Sequence, residues 1–224
     1  MNIIHNHKRV MYNKLFPLPP SKSYNNLMID DEAVSFITTP ANSETITAII
    51  DSHIPDYVMR SDITILDGTA CVGGDSIAFG KNFGSVIASE IDEKRHYMLT
   101  NNLKEYELYN VVPVNTDCLK ILKRVNFINI MYFDPPWGGK QYKEGTNLRL
   151  SIGDFYVDEL IDIVFDETKQ PRSDVQMVVL KLPKNYDLYT LYNNTKHRDI
   201  TLYLYDLPKM YVVVAKKNNA WKNF

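Results

Sequence analysis

Four residues, Asp134-Pro135-Pro136-Trp137, follow a short apolar run, Met131-Tyr132-Phe133, and precede Gly138-Gly139. Proline fixes φ at two consecutive positions. That aims the Asp134 carboxylate and the Pro135 carbonyl rigidly outward. Trp137 offers a flat face on which a nucleobase can stack, at ~1–3 kcal/mol per base. An exocyclic amine on such a base is a poor nucleophile, because its lone pair is delocalised into the ring. Acceptors that take hydrogen bonds from its N–H groups return electron density to nitrogen and orient the lone pair. The chemistry this suits is methyl transfer onto that amine, driven by proximity, orientation and electrostatics, with Asp134, Pro135 and Trp137 as its catalytic group. Singly, Asp134 is a turn residue before proline and Trp137 a core aromatic. The four together at a strand's end point to a site.

A second pattern could hold the methyl donor. Asp67-Gly68-Thr69-Ala70-Cys71-Val72-Gly73-Gly74 lies between a strand and a helix. Glycine there lets the backbone approach a ligand and permits positive φ. Glu90 follows Asp67 by 23 positions, against about 20 for the ribose-binding acid of dinucleotide folds. Asp117 follows the next strand and is placed to accept from an adenine amino group. Alone, the glycine turn is an ordinary loop, Glu90 a solvated acid and Asp117 a helix cap. The three in order at successive strand ends form a donor site. A nicotinamide site ranks below this, because the turn lacks G-x-G-x-x-G.

These residues need a scaffold of alternating strands and helices. Strands are expected at Ile63 to Leu66, Val86 to Ser89, Val111 to Val114, Ile128 to Phe133 and Val175 to Leu182. The last is continuous and apolar, as a central parallel strand should be. Pro113 makes the third an edge. Helices are expected from Pro40 to about His53, from Asp92 to about Glu107 and from Asp154 to Phe165, with Thr39 as the first N-cap. Thr201 to Tyr205 and Met210 to Ala215 form a terminal hairpin. The alternation implies a mostly parallel, doubly wound α/β sheet. Residues 1–60 read as a partly helical N-terminal extension covering the site, and 61–224 as the catalytic domain.

Composition narrows the classes. The 224 residues carry a net charge of −2, so non-specific wrapping of nucleic acid is not expected. The two cysteines, Cys71 and Cys118, form no zinc pattern, and no metal is expected. Met1 to Val10 carries no apolar core of signal-peptide length, and no run reaches membrane-spanning length. The expectation is an intracellular, monomeric protein with no membrane partner.

The motifs resemble those of trimethylguanosine synthase, the RNA cap guanine-N2 methyltransferase family. The resemblance runs from about residue 35 to 190. It is carried by Asp67 to Asp75, by Ser89-Glu90-Ile91-Asp92, and by Asp134-Pro135-Pro136-Trp137-Gly138-Gly139 with Tyr142. Ser35-Phe36-Ile37-Thr38-Thr39-Pro40 and Leu182-Pro183-Lys184-Asn185 add to it. It implies a Rossmann-like class I methyltransferase that uses S-adenosyl-L-methionine on the N2 of 7-methylguanosine in capped RNA. Thr39, Asp67, Gly68, Thr69, Gly73, Glu90, Asp117 and Asp134 would then hold the donor. Phe36, Trp137, Lys140 and Tyr142 would hold the cap, with Lys143, Lys8, Arg9 and Lys14 available to phosphates. Trp137 would stack on a cationic base.

Two residues depart from the family pattern. Cys71 stands where the family has glycine, and Asp134 where it has serine. An acid before P-P-W is the usual residue of N6-adenine methyltransferases, which makes adenine N6 the alternative target. Lys181, at the end of the fifth strand, raises ribose 2′-O methylation, but a full set of lysine and glutamate partners is not found. A non-catalytic cap-binding module would not need both the cofactor acids and P-P-W.

Overall fold

The computed structural model describes residues 11–122, 127–166, 174–222 and 224, with only the backbone of Leu122, Lys140 and Gln141. The elements in chain order are α1 (Ala33–Phe36), α2 (Pro40–Ser52), β1 (Thr64–Asp67), α3 (Gly74–Asn82), β2 (Ser85–Glu90), α4 (Glu93–Glu105), β3 (Val111–Asn115), α5 (Cys118–Leu122) and β4 (Ile130–Phe133). There follow β5 (Ser151–Ile152), β6 (Phe155–Tyr156), α6 (Val157–Phe165), β7 (Met177–Pro183), α7 (Leu188–Thr195), β8 (Ile200–Leu207) and β9 (Met210–Lys217). The main sheet runs β3-β2-β1-β4-β7-β9-β8. Its first five strands pair in parallel, and β9 joins β7 and β8 antiparallel. This is the expected mostly parallel sheet with a C-terminal hairpin. β3, which contains Pro113, is at the edge.

Strand alternation sorts the core into two layers. Ile65, Ile130, Tyr132, Met177, Val179, Val212 and Val214 face one side, with Ile46 and Ile50 of α2, Phe79 of α3 and Leu99 of α4. Leu66, Met131, Phe133, Val178, Leu180 and Val213 face the other, with Ile121 of α5, Leu160 and Ile161 of α6, and Leu191 of α7. Helices on both faces let β4 and β7 bury every residue.

The N-terminal segment belongs to the first layer. Phe16, Leu27, Ala33 and Ile37 are buried in it. Tyr106 donates to the Pro17 carbonyl, and Asn102 both donates to the Met28 carbonyl and accepts from its N–H. The segment thus runs along α4 toward the carboxyl ends of β1 and β2. Trp221, near the C-terminus, is fully buried and donates to the His53 carbonyl at the end of α2. The short β5-β6 hairpin, α5 and α7 were not anticipated, being too short for periodicity to reveal.

Candidate active site

The parallel strands all end on one side of the sheet, where open α/β sheets bind ligands. β1 ends at Asp67, which is buried. Its Oδ2 accepts from Ser76 Oγ at 2.5 Å and its Oδ1 from the Thr69 amide at 3.2 Å. Burial, reinforced by the neighbouring Asp75 carboxylate, pushes the Asp67 carboxyl up to about 8. Asp67 therefore organises the turn from beneath. Gly68 has no room for a side chain, since a Cβ there would lie 2.4 Å from the Phe133 ring. Cys71 adopts a left-handed backbone, φ 48°, which explains glycine at that position in the resembling pattern. Gly73 caps α3. Thr69 Oγ1 accepts the Asp134 amide at 2.7 Å, tying the turn to the end of β4.

Glu90 ends β2 half-buried. Burial raises its pKa, while amides of Asp92 and Cys71 oppose the rise. Asp117 lies beyond β3 and accepts the Leu119 amide at 2.9 Å, so one oxygen caps α5. The three acids thus stand at the ends of three neighbouring strands.

Beyond β4, Asp134 is mostly buried and paired. Lys181 Nζ, from β7, donates to its Oδ2 at 2.5 Å and to Thr38 Oγ1 at 2.8 Å. Thr38 donates onward to Asp75 Oδ2 at 2.6 Å. Asp75 also accepts from Tyr132 OH at 2.9 Å and Ser43 Oγ at 2.9 Å. Burial pushes the Asp134 carboxyl up to about 6, against the pull of the Lys181 ammonium. Trp137 is half-buried between the two core layers, with Lys181 Nζ 5.5 Å from its ring centroid. Its Nε1 has no hydrogen-bond partner among the described residues, though its N–H lies near enough to Asp134 to favour the charged carboxylate. Tyr142 packs edge-on against Trp137 at 5.2 Å. Asn185 Nδ2 donates to the Tyr142 and Gly145 carbonyls at 2.6 Å each, fastening that loop to the end of β7.

A family model described as RNA cap guanine-N2 methyltransferase matches residues 63–224. The chain belongs to this family. It is 32% identical to an uncharacterized protein of Acanthamoeba polyphaga mimivirus, over 96% of this chain and 87% of that one. It is 27% identical to the trimethylguanosine synthase of Schizosaccharomyces pombe, over 66% of this chain and 61% of that one. In fold it is similar to a T. thermophilus 16S rRNA N2 methyltransferase solved with AdoMet and guanosine, with TM-score 0.57 and 13% identity over 87% of this chain and 45% of that one.

The methyltransferase uses S-adenosylmethionine, and its donor-side residues have suitable chemistry. Half-buried acids at the ends of β2 and β3 can accept ribose hydroxyls and an adenine amine, and the left-handed turn between β1 and α3 presents backbone groups. Sequence reasoning placed Asp67, Thr69, Glu90, Asp117, Asp134 and Trp137 correctly at the carboxyl ends of their strands. Thr39 is different. Its carbonyl accepts from Ser43 N at the start of α2, and its side chain makes no cap bond. The buried side chain that reaches the site is its neighbour Thr38. Phe36 is exposed and lies 5.7 Å from Arg95, the guanidinium whose charge opposes the rise of the Glu90 pKa. It therefore stands on the donor side. Lys14 and Lys143 are exposed. The Lys140 side chain, Lys8 and Arg9 lie outside the described structure. Thr38, Asp75 and Tyr132 were missed. Lys181 had a legible signal, since a lysine inside the apolar run Met177–Pro183 demands a buried partner.

Among the described residues no helix is long and apolar enough to cross a membrane.

Proposed function

We propose that this methyltransferase adds a methyl group to the exocyclic N2 of 7-methylguanosine at an RNA 5′ cap. The observation that carries the reading is the adjacency of acceptor and platform. Asp134, held rigidly by Pro135 and Pro136, stands beside the half-buried Trp137 at the end of β4. The family and the S. pombe trimethylguanosine synthase support guanine. So does the guanosine bound by the T. thermophilus enzyme of similar fold.

S-adenosylmethionine supplies an electrophilic sulfonium methyl group when bound. Asp67, Gly68, Thr69 and Gly73 shape the turn that receives it, and Glu90 and Asp117 take its ribose and adenine. The Pro135 carbonyl and an Asp134 oxygen accept from the guanine amine and turn its lone pair toward the methyl group. A strong base is unnecessary, because the methylated ammonium is acidic and loses its proton to water. Trp137 stacks on the base, whose positive charge adds cation–π attraction. Asp134 and Asp75 add negative charge nearby, which favours a cationic base in a water-poor pocket. Tyr142 closes the pocket's rim beside Trp137, and Lys143 meets cap phosphates. The protein acts on capped RNA as a monomer and needs no metal, so chelators should leave its activity intact.

The test is transfer from labelled S-adenosylmethionine to a 7-methylguanosine cap analogue, an unmethylated cap analogue and an adenine-containing oligonucleotide. Transfer to the 7-methylated cap alone is expected. Transfer to the oligonucleotide alone would establish the second reading, adenine N6, which the acid at position 134 favours.

A further inference from the structure

We infer that Lys181 is a positioning residue of the methyl-transfer site, holding one oxygen of Asp134 so that the other faces the base amine. The inference rests on the proposal that Asp134 accepts from such an amine.

A lysine in the middle of a wholly buried strand is costly unless its charge is matched. Lys181 is 5% exposed, in a strand whose other residues are all buried. Alternation puts it on the face of Met177 and Val179, toward α2 and α3. An ammonium has three donors. One meets Asp134 Oδ2 and one meets Thr38 Oγ1, and the nitrogen lies 5.5 Å from the Trp137 ring centroid. Lys181 thus touches acceptor, platform and N-terminal segment at once.

The arrangement has two consequences. A lone carboxylate beside a stacked base could rotate both oxygens, or take up a proton. Pinning Oδ2 removes that freedom and leaves Oδ1 as the acceptor. The groups facing Asp134 are Lys181 from β7, Asp75 from α3, Asp67 from β1, and the Trp137 indole, with Tyr132 reaching the same cluster. Lys181 is a cation held against Asp134 with Asp75 nearby, so its removal leaves Asp134 without the charge that opposes its protonation. The acid at position 134, where the resembling family has serine, and the lysine at 181 are then one device.

The test titrates the Asp134 carboxyl by carbon NMR in the wild type, Lys181→Met and Lys181→Arg, alongside kinetics. Lys181→Met should raise the Asp134 pKa by about one unit or more, and move the acidic limb of turnover upward in parallel. Its turnover should fall about tenfold to a hundredfold, with donor KM changed by less than about threefold. Lys181→Arg should restore part of both. The double variant Asp134→Asn/Lys181→Met, which removes both charges and so tolerates folding, should match Asp134→Asn alone in turnover. An unmoved Asp134 titration, or turnover losses that multiply in the double variant, would overturn the inference. So would equal losses of donor binding and turnover with an unmoved limb, the mark of a purely structural ion. The titration needs no substrate. Failure of all three substrates in the wild type would therefore remove the base assignment, while the Asp134 titration still decides Lys181.

Discussion

Thr38 Oγ1 donates to Asp75 Oδ2 across 2.6 Å, joining the segment before α2 to the first turn of α3. Asp75 takes two further hydroxyls, from Ser43 and Tyr132, and is itself buried. Removing it leaves three hydroxyls facing a gap, each costing about 1–3 kcal/mol if unsatisfied. We expect Asp75→Ala to lower unfolding free energy by at least about 2 kcal/mol, measured in urea, and Asp75→Asn by clearly less. Equal and small effects would mean that water replaces the carboxylate.

Asp67 carries a pH dependence of stability. Its folded carboxyl is raised to about 8, mainly by burial. The folded state therefore binds more protons than the unfolded one between the ordinary carboxylate range and about 8. The stabilisation is complete below the unfolded value and is lost as pH rises through about 8. Asp67→Asn mimics the protonated form. Its Tm should fall less steeply than that of the wild type from pH 5 to 8. Parallel curves would mean that Asp67 is ionised in the native protein.

Trp137 and Asp134 should separate binding from chemistry. Trp137→Ala should weaken cap-analogue binding about tenfold or more, from a stack worth ~1–3 kcal/mol, with donor binding largely intact by calorimetry. Equal loss of both ligands would make Trp137 a core residue. Asp134→Ala should lower turnover far more than donor affinity. A fully active Asp134→Ala would remove it from the reaction.

Trp221 is a stability residue remote from the chemistry. It is 1% exposed, and its indole N–H donates to the His53 carbonyl at 3.0 Å. Trp221→Ala should cost about 3–5 kcal/mol, with KM for donor and cap unchanged at low temperature. A raised KM would show that the end of α2 transmits its position to Thr38.

The sequence by itself determined the order of strands and helices, the glycine turn, the acids at the strand ends and the rigid Asp134 to Trp137 run. These are local properties: period, proline geometry and glycine tolerance act over a few residues. The terminal hairpin was legible for the same reason, and Pro113 marked the sheet edge through its missing donor. Tertiary structure alone decided which side chains meet. Thr38 lies 143 positions from Lys181 yet bonds it, and Thr38 rather than Thr39 points inward, because the cap of α2 turns the chain between them. Asp67 read as a donor-binding acid, and folding buried it with Ser76 Oγ as its partner. Lys181 raised a rival chemistry in the sequence, whereas in the fold β7 lies beside β4 and pairs it with Asp134. Such pairings depend on how strands are ordered in the sheet, and the cost of a buried charge selects the partner only after packing has excluded water.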